Sequence, residues 1–205
     1  MNKKNGKDGM QRILAAAIDE FCRAGLAGAK LEVIAMEAGV SKQLIHHYFR
    51  TKPELYMAAI NELTAEEIAG LIALDYESYE PEDALRLFLT HSYNIFLKWP
   101  FLAGLYNDQG VYSGEHTSEC RDLVNRSPEL MTRLGAILKQ GQASGLFRQD
   151  IDINEVIAAA LMVVIGGFTQ GPLLSSFTSI DFSKPDNIQY WRSFSIDFVL
   201  NAIRA

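Results

Sequence analysis

The sequence predicts an all-α protein organised as two helical domains. Nearly every periodic segment repeats its apolar residues at intervals of three and four, the spacing that gathers them on one face of an α-helix. No alternating stretch is long enough for a convincing strand. The chain has 205 residues, 48% hydrophobic and 21% charged, which is ordinary globular usage and ample for a hydrophobic core.

Residues 1–9 are polar and glycine-containing and read as a flexible arm. The first helix is expected from Met10 to Ala24, with Ile13, Leu14, Ala17, Ile18 and Phe21 on one buried stripe. Gly25 suits its C-cap, since glycine takes the left-handed conformation without steric cost. A second helix follows over Leu31–Ala38, and a third over Ser41–Phe49. Pro53–Ala73 reads as a long helix, and Pro81–Lys98 as another, opened by one proline and closed by Pro100. Phe101–Asn107 is a short helical piece, and residues 108–119 a loop. Cys120–Ala143 is amphipathic, with a break expected near Ser127 and Pro128. Asn154–Thr169 is a very apolar helix that Gly171 and Pro172 end; residues from Ser175 to Asp186 form a loop, and Asp186–Arg204 is the last helix.

A helix-turn-helix needs a small residue where its helices touch, a glycine in the turn, and apolar residues that pin the second helix. Ile34 and Ala35 supply the contact, Gly39 the turn, and Val40, Ile45 and Tyr48 the pins. Ser41 caps the second helix, which then exposes Lys42, Gln43, Leu44, His46 and His47. Cationic, amide and apolar groups on one helix suit phosphates and base edges. The next helix opens with Thr51-Lys52-Pro53-Glu54, a capping box whose amides, with Lys52, make a phosphate site. Charge follows the same division. Residues 1–60 hold nine Lys/Arg against six Asp/Glu, a net +3, and the remainder holds ten against nineteen, a net −9. The basic part is drawn to nucleic acid and the acidic part repelled by it. The expected DNA-contacting residues are Lys30, Ser41, Lys42, Gln43, Leu44, His46, His47 and Lys52.

The run Ile13-Leu14-Ala15-Ala16-Ala17, with Phe21, Gly25, Ile34, Ala35, Ala38, Gly39, Val40, Ser41, Lys42, Phe49, Lys52 and Leu55, resembles the signature of TetR-type transcriptional regulators. The resemblance covers residues 10–60 and implies a helix-turn-helix DNA-binding domain (10–55) followed by a ligand-sensing and dimerisation domain (56–205). It further implies a dimer whose recognition helices enter successive major grooves of a near-palindromic operator, with repression as the default. Three positions depart from the family pattern. Lys30 stands where Thr often caps the helix, His46 where a phosphate-contacting Tyr is usual, and Gln43 where Gly is common.

In the second domain, the last helix carries two apolar stripes. Tyr190, Trp191, Phe194 and Phe198 lie on one side; Ile188, Ile196, Val199 and Ile203 lie broadly opposite. One stripe serves the core and the other a partner. The apolar helix before it offers Ala158, Ala159, Ala160, Gly166 and Gly167 for close approach. The expected homodimer interface comprises Ala159, Gly166, Trp191, Phe194, Ile196 and Phe198, the alternative being a helix buried inside one subunit. His91, Tyr93, Phe96, Trp99, Tyr106 and Phe168 are expected to stack on and orient a small, largely apolar effector, the alternative being plain core packing.

The same sequence argues against other classes. It has no Gly-rich phosphate loop, no Gly-x-Ser-x-Gly elbow and no His-Glu-x-x-His, and its four histidines and two cysteines are scattered. No enzyme activity, cofactor or metal is therefore expected. The longest apolar stretch, Val156–Phe168, is too short to span a bilayer, no signal peptide is evident, and Cys22 and Cys120 make no disulfide framework. These point to the cytoplasm and away from a membrane partner. A helical protein-interaction module without a small-molecule ligand is the alternative function.

Overall fold

The computed structural model describes residues 3–102 and 121–205. In order, its helices are α1 (Lys3–Gly28), α2 (Leu31–Glu37), α3 (Lys42–Tyr48), α4 (Lys52–Ala73), α5 (Pro81–Lys98), α6 (Arg121–Ala143), α7 (Ile153–Thr169), α8 (Gly171–Phe177) and α9 (Pro185–Ile203). No strand occurs among the described residues. Tyr106, Cys120 and the loop expected over residues 108–119 lie outside them. Among the described residues, 3–67 with 121–124 form one compact unit, and the others form a second.

In the first unit, Ile13, Leu14, Ala17 and Phe21 of α1 join Ile34 and Ala35 of α2, Ile45 of α3, and Leu55 and Ala59 of α4 in one buried cluster. Burying each large apolar side chain contributes about 1.5–3 kcal/mol, so this cluster fixes α3 against its neighbours. Phe21 and Tyr56 meet edge to face at 4.9 Å. Gly25 adopts φ 64° and interrupts α1 where a cap is expected. At its other end α1 reaches back to Lys3, well before Met10, where the apolar stripe begins. Extending a nucleated helix costs little per residue, and Asp8 pairs with Arg12 one turn on at 3.5 Å.

In the second unit, α9 packs on α7 and α5, and α5 on α7. Phe88 and Tyr93 of α5, Leu134 and Leu138 of α6, Ala160 and Val164 of α7, and Ile196 and Leu200 of α9 are in its core. Phe147 is fully buried beside Gly141, where an added Cβ would fall 2.0 Å from its ring, so only glycine fits there. Arg133 of α6 clasps the end of α4. Its guanidinium donates to the carbonyls of Ile72 and Leu74, pairs with Glu77, and lies 4.9 Å from the Tyr76 ring centre.

Besides the early start of α1, which makes residues 3–9 of the expected arm helical, two boundaries differ from those expected. α6 runs through Pro128 without ending. Gly171 and Pro172 end α7 but also start α8, bent 80° from it, because proline suits a first helical turn. Residues 175–177, expected in a loop, are therefore helical. Among the described residues no single helix is long and apolar enough to cross a membrane.

Candidate nucleic-acid interface

The turn between α2 and α3 is held by backbone bonds. Gly39, at φ 63°, donates to the Met36 carbonyl at 3.1 Å, and Val40 to the Ala35 carbonyl at 2.9 Å. This double closure is a Schellman motif, and its left-handed position is costly for residues with a Cβ. Ser41 then caps α3, its side chain accepting from the Leu44 amide at 3.2 Å. Ile45 is buried, and α3 turns Lys42, Gln43, His46 and His47 to solvent. Leu44, expected to be exposed, is half-buried against the core of this unit, close to Gly9 of α1. Burying an aliphatic side chain outweighs leaving it in water.

Lys30 is exposed at the N-cap of α2 and makes no side-chain cap, as its chemistry requires. A residue the sequence reading did not single out does part of that work. The buried Glu20 accepts the Lys30 amide at 3.0 Å and pairs with Arg23. The amide bond, then the arginine, hold its carboxyl below the usual carboxylate range. The signal for it was a carboxylate three residues beyond Ala17, on the buried stripe of α1.

Lys42, on α3, pairs with Glu32 of α2. That bond leads the interactions that depress the Glu32 carboxyl, and Lys30 adds a smaller attraction. Lys52 is half-buried and donates to two carbonyls at the end of α1, those of Ala27 and Ala29, each at 3.2 Å. Thr51 accepts the Glu54 amide at 3.2 Å, as in a capping box, but Glu54 reaches back to the Arg50 amide at 2.9 Å instead of to that of Thr51. The candidate surface is thus a short, firmly seated helix presenting Lys42 with amide and imidazole groups, while Lys30 and Lys52 stand at the starts of α2 and α4.

The residues expected to meet an effector divide. Tyr93 and Phe96 are buried on α5, and Phe168 of α7 lies 4.9 Å from the Tyr93 ring and 5.9 Å from the Phe96 ring. The Tyr93 hydroxyl donates to the Ile188 carbonyl at 2.6 Å, and burial pushes its pKa up to about 12. His91 and Trp99 are half-buried, with Trp99 capping α5 beneath the Lys98 ammonium. Ser92 Oγ and Trp191 Nε1 are buried without a hydrogen-bond partner among the described residues.

The residues expected at a dimer interface also divide. Ile196 is 3% exposed and belongs to the core, so its place in the expected interface is corrected. It lies on the stripe opposite Phe198, and one helix face cannot serve both sides. Tyr190, Phe194 and Phe198 form an exposed ladder of near-parallel rings about 6 Å apart, with Phe198 54% exposed. Trp191 is half-buried between Phe182 and Phe194. On α7, Ala159 and Met162 are exposed and Gly166 is half-buried. Ala159, Val163 and Phe198 line an apolar groove of about 210 Å³ between α7 and α9.

Comparison with known proteins agrees with this architecture. Residues 13–59 match the family described as bacterial regulatory proteins, tetR family, and residues 81–199 match the tetracyclin repressor-like C-terminal domain. The transcriptional repressor NicS of Pseudomonas putida is 26% identical over 192 residues, 94% of this chain and 91% of its own. The regulator RutR of Escherichia coli K12 is 30% identical over 127 residues, 62% of this chain and 53% of its own. Among solved structures, a TetR transcription regulator from Haloarcula marismortui superposes with a TM-score of 0.69 at 23% identity, covering 97% of this chain and 100% of that one. FadR from Bacillus subtilis, solved with stearoyl-CoA, superposes at 0.66 and 17% identity, over 95% of this chain and 99% of its own. Both the helix-turn-helix unit and the C-terminal helical unit are accounted for, and the chain belongs to the TetR family of transcriptional regulators.

Proposed function

We propose that the chain is a cytoplasmic, homodimeric repressor that releases a near-palindromic DNA operator when a small, largely apolar effector binds. The observation that carries this reading is α3, capped by Ser41, seated by Ile45 and presenting Lys42, Gln43, His46 and His47 to solvent. Lysines meet phosphates and set register, while Gln43 and His47 face base edges. A two-fold dimer reads two related half-sites, hence the near-palindrome.

Residues 10–55 are the DNA-reading part, and residues 56–205 sense the effector and dimerise. The exposed apolar stripe of α9, with Ala159 and Gly166 of α7, faces the partner; such a stripe on an isolated subunit exposes apolar surface that pairing removes. The effector stacks on Phe96 and Phe168 near His91 and Trp99, and its polar groups meet Ser92 and Trp191, whose buried donors lack acceptors among the described residues. Its chemistry is apolar because aromatic side chains dominate this region. To act as a switch it binds the DNA-releasing conformation more tightly than the other.

Selection from a random duplex pool tests the reading. Recovery of two inverted half-sites whose binding falls with salt is the expected result. A pool that stays unenriched at low salt would overturn it.

A further inference from the structure

We infer that Glu32 is an intramolecular competitor for the phosphate-binding Lys42, restraining how tightly the helix-turn-helix holds DNA backbone. This rests on the DNA-binding reading above.

The carboxylate lies in the first turn of α2, and the Lys42 ammonium begins α3, so the turn at Gly39 folds the two together. Both side chains are substantially exposed, at 66% and 47%. Glu32 also feels a weaker attraction from Lys30, but its direct partner is Lys42. A carboxylate and a phosphodiester present an ammonium with the same ligand, anionic oxygen. Lys42 therefore enters the complex already partly neutralised. A phosphate must displace Glu32 or share the ammonium with it, and shared anionic ligands repel each other.

An exposed pair of this kind is weak, so it tunes binding without blocking it. Neutralising Glu32 is expected to tighten DNA binding about two- to five-fold at low salt. It also steepens the log–log salt dependence by up to about 0.9, because one more lysine charge is free to release counterions. The gain applies to an unrelated duplex as well as to the operator, since phosphate contacts carry no sequence.

The test measures affinity against salt for the wild type, Glu32→Gln, Lys42→Gln and the double variant, on a selected duplex and a scrambled one. Glutamine keeps the shape of the side chain, and thermal unfolding checks that all four are folded. Tighter, more salt-sensitive binding by Glu32→Gln, with the gain at least halved in the Lys42→Gln background, is the expected outcome. Unchanged or weaker binding by Glu32→Gln overturns the inference. So does an equal gain with and without Lys42, which would make Glu32 a diffuse field and not a competitor. Binding by the wild type with no effect of Glu32 overturns this inference alone; failure of all four proteins to bind either duplex overturns the DNA-binding reading with it.

Discussion

Replacing Lys52 with alanine is expected to cost both stability and DNA affinity, through different atoms of the same ammonium. Two of its donors hold the Ala27 and Ala29 carbonyls at 3.2 Å. A hydrogen bond to a charged group contributes about 1.5–3 kcal/mol when well shielded. These two are long and partly solvated, so together they are expected to supply about 1–2 kcal/mol. For a chain of this size each kcal/mol moves the melting temperature by about 2–4 °C, giving a fall of about 2–8 °C. The third donor is left for a phosphate, and its loss should flatten the log–log salt dependence of DNA binding by about 0.9. Thermal unfolding reads the first effect, and fluorescence anisotropy on a labelled duplex at several salt concentrations reads the second. Lys52→Arg, which keeps the charge, should recover most of the slope. An unchanged melting temperature would refute the capping role. An altered base preference with an unchanged slope would refute the phosphate role.

Two further outcomes follow from burial. Phe198→Glu should yield a folded monomer in sedimentation velocity, since Phe198 is 54% exposed in one subunit and a carboxylate buried without a partner at an interface costs about 3–5 kcal/mol; Ile196→Glu should instead unfold the subunit, and a dimeric, native-stability Phe198→Glu would sink the α9 interface. Burial pushes the Tyr76 and Tyr93 phenols up to about 12, whereas an unfolded chain releases such protons near 10. The unfolded state then holds fewer protons between those values, so stability present below pH 10 is lost as pH rises toward 12. Urea unfolding at pH 9 and pH 11 should show this loss reduced in the Tyr76→Phe, Tyr93→Phe double variant, and equal losses would contradict it.

What was legible in the sequence is what depends on near neighbours. Ala35, Gly39 and Ser41 lie within seven residues, and their roles follow from steric and hydrogen-bonding rules that act over one turn, so the helix-turn-helix could be placed residue by residue. The contacts that were not legible join residues ten or more apart. Glu20 reaches Lys30 across the bend at Gly25, Glu32 reaches Lys42 across the turn, and Lys52 returns to the end of α1. Periodicity says which residues share a face, not what that face meets. The two stripes of α9 were visible for this reason, yet assigning Ile196 to the core and not to the partner needed the packing of α5 and α7. Gly171 and Pro172 signal only a stop in the sequence, yet the same two residues end one helix and begin another.

The same long-range contacts change how the charge asymmetry should be understood. A net +3 over the first 60 residues implies a basic surface open to DNA. Several of those cations are already engaged: Arg12 with Asp8, Arg23 with Glu20, Lys42 with Glu32, and Lys52 with two carbonyls. Their roles differ with depth. Arg23 helps to neutralise a buried carboxylate that holds the start of α2, so surrendering it would expose that charge to an apolar core. The Lys42 pair lies in water, where exchange with a phosphate is nearly isoenergetic. Phosphate binding therefore draws on the exposed pairs and leaves the buried one intact. The seating of α3 therefore presents the reading surface, and net charge contributes only through the lysines that can change partner.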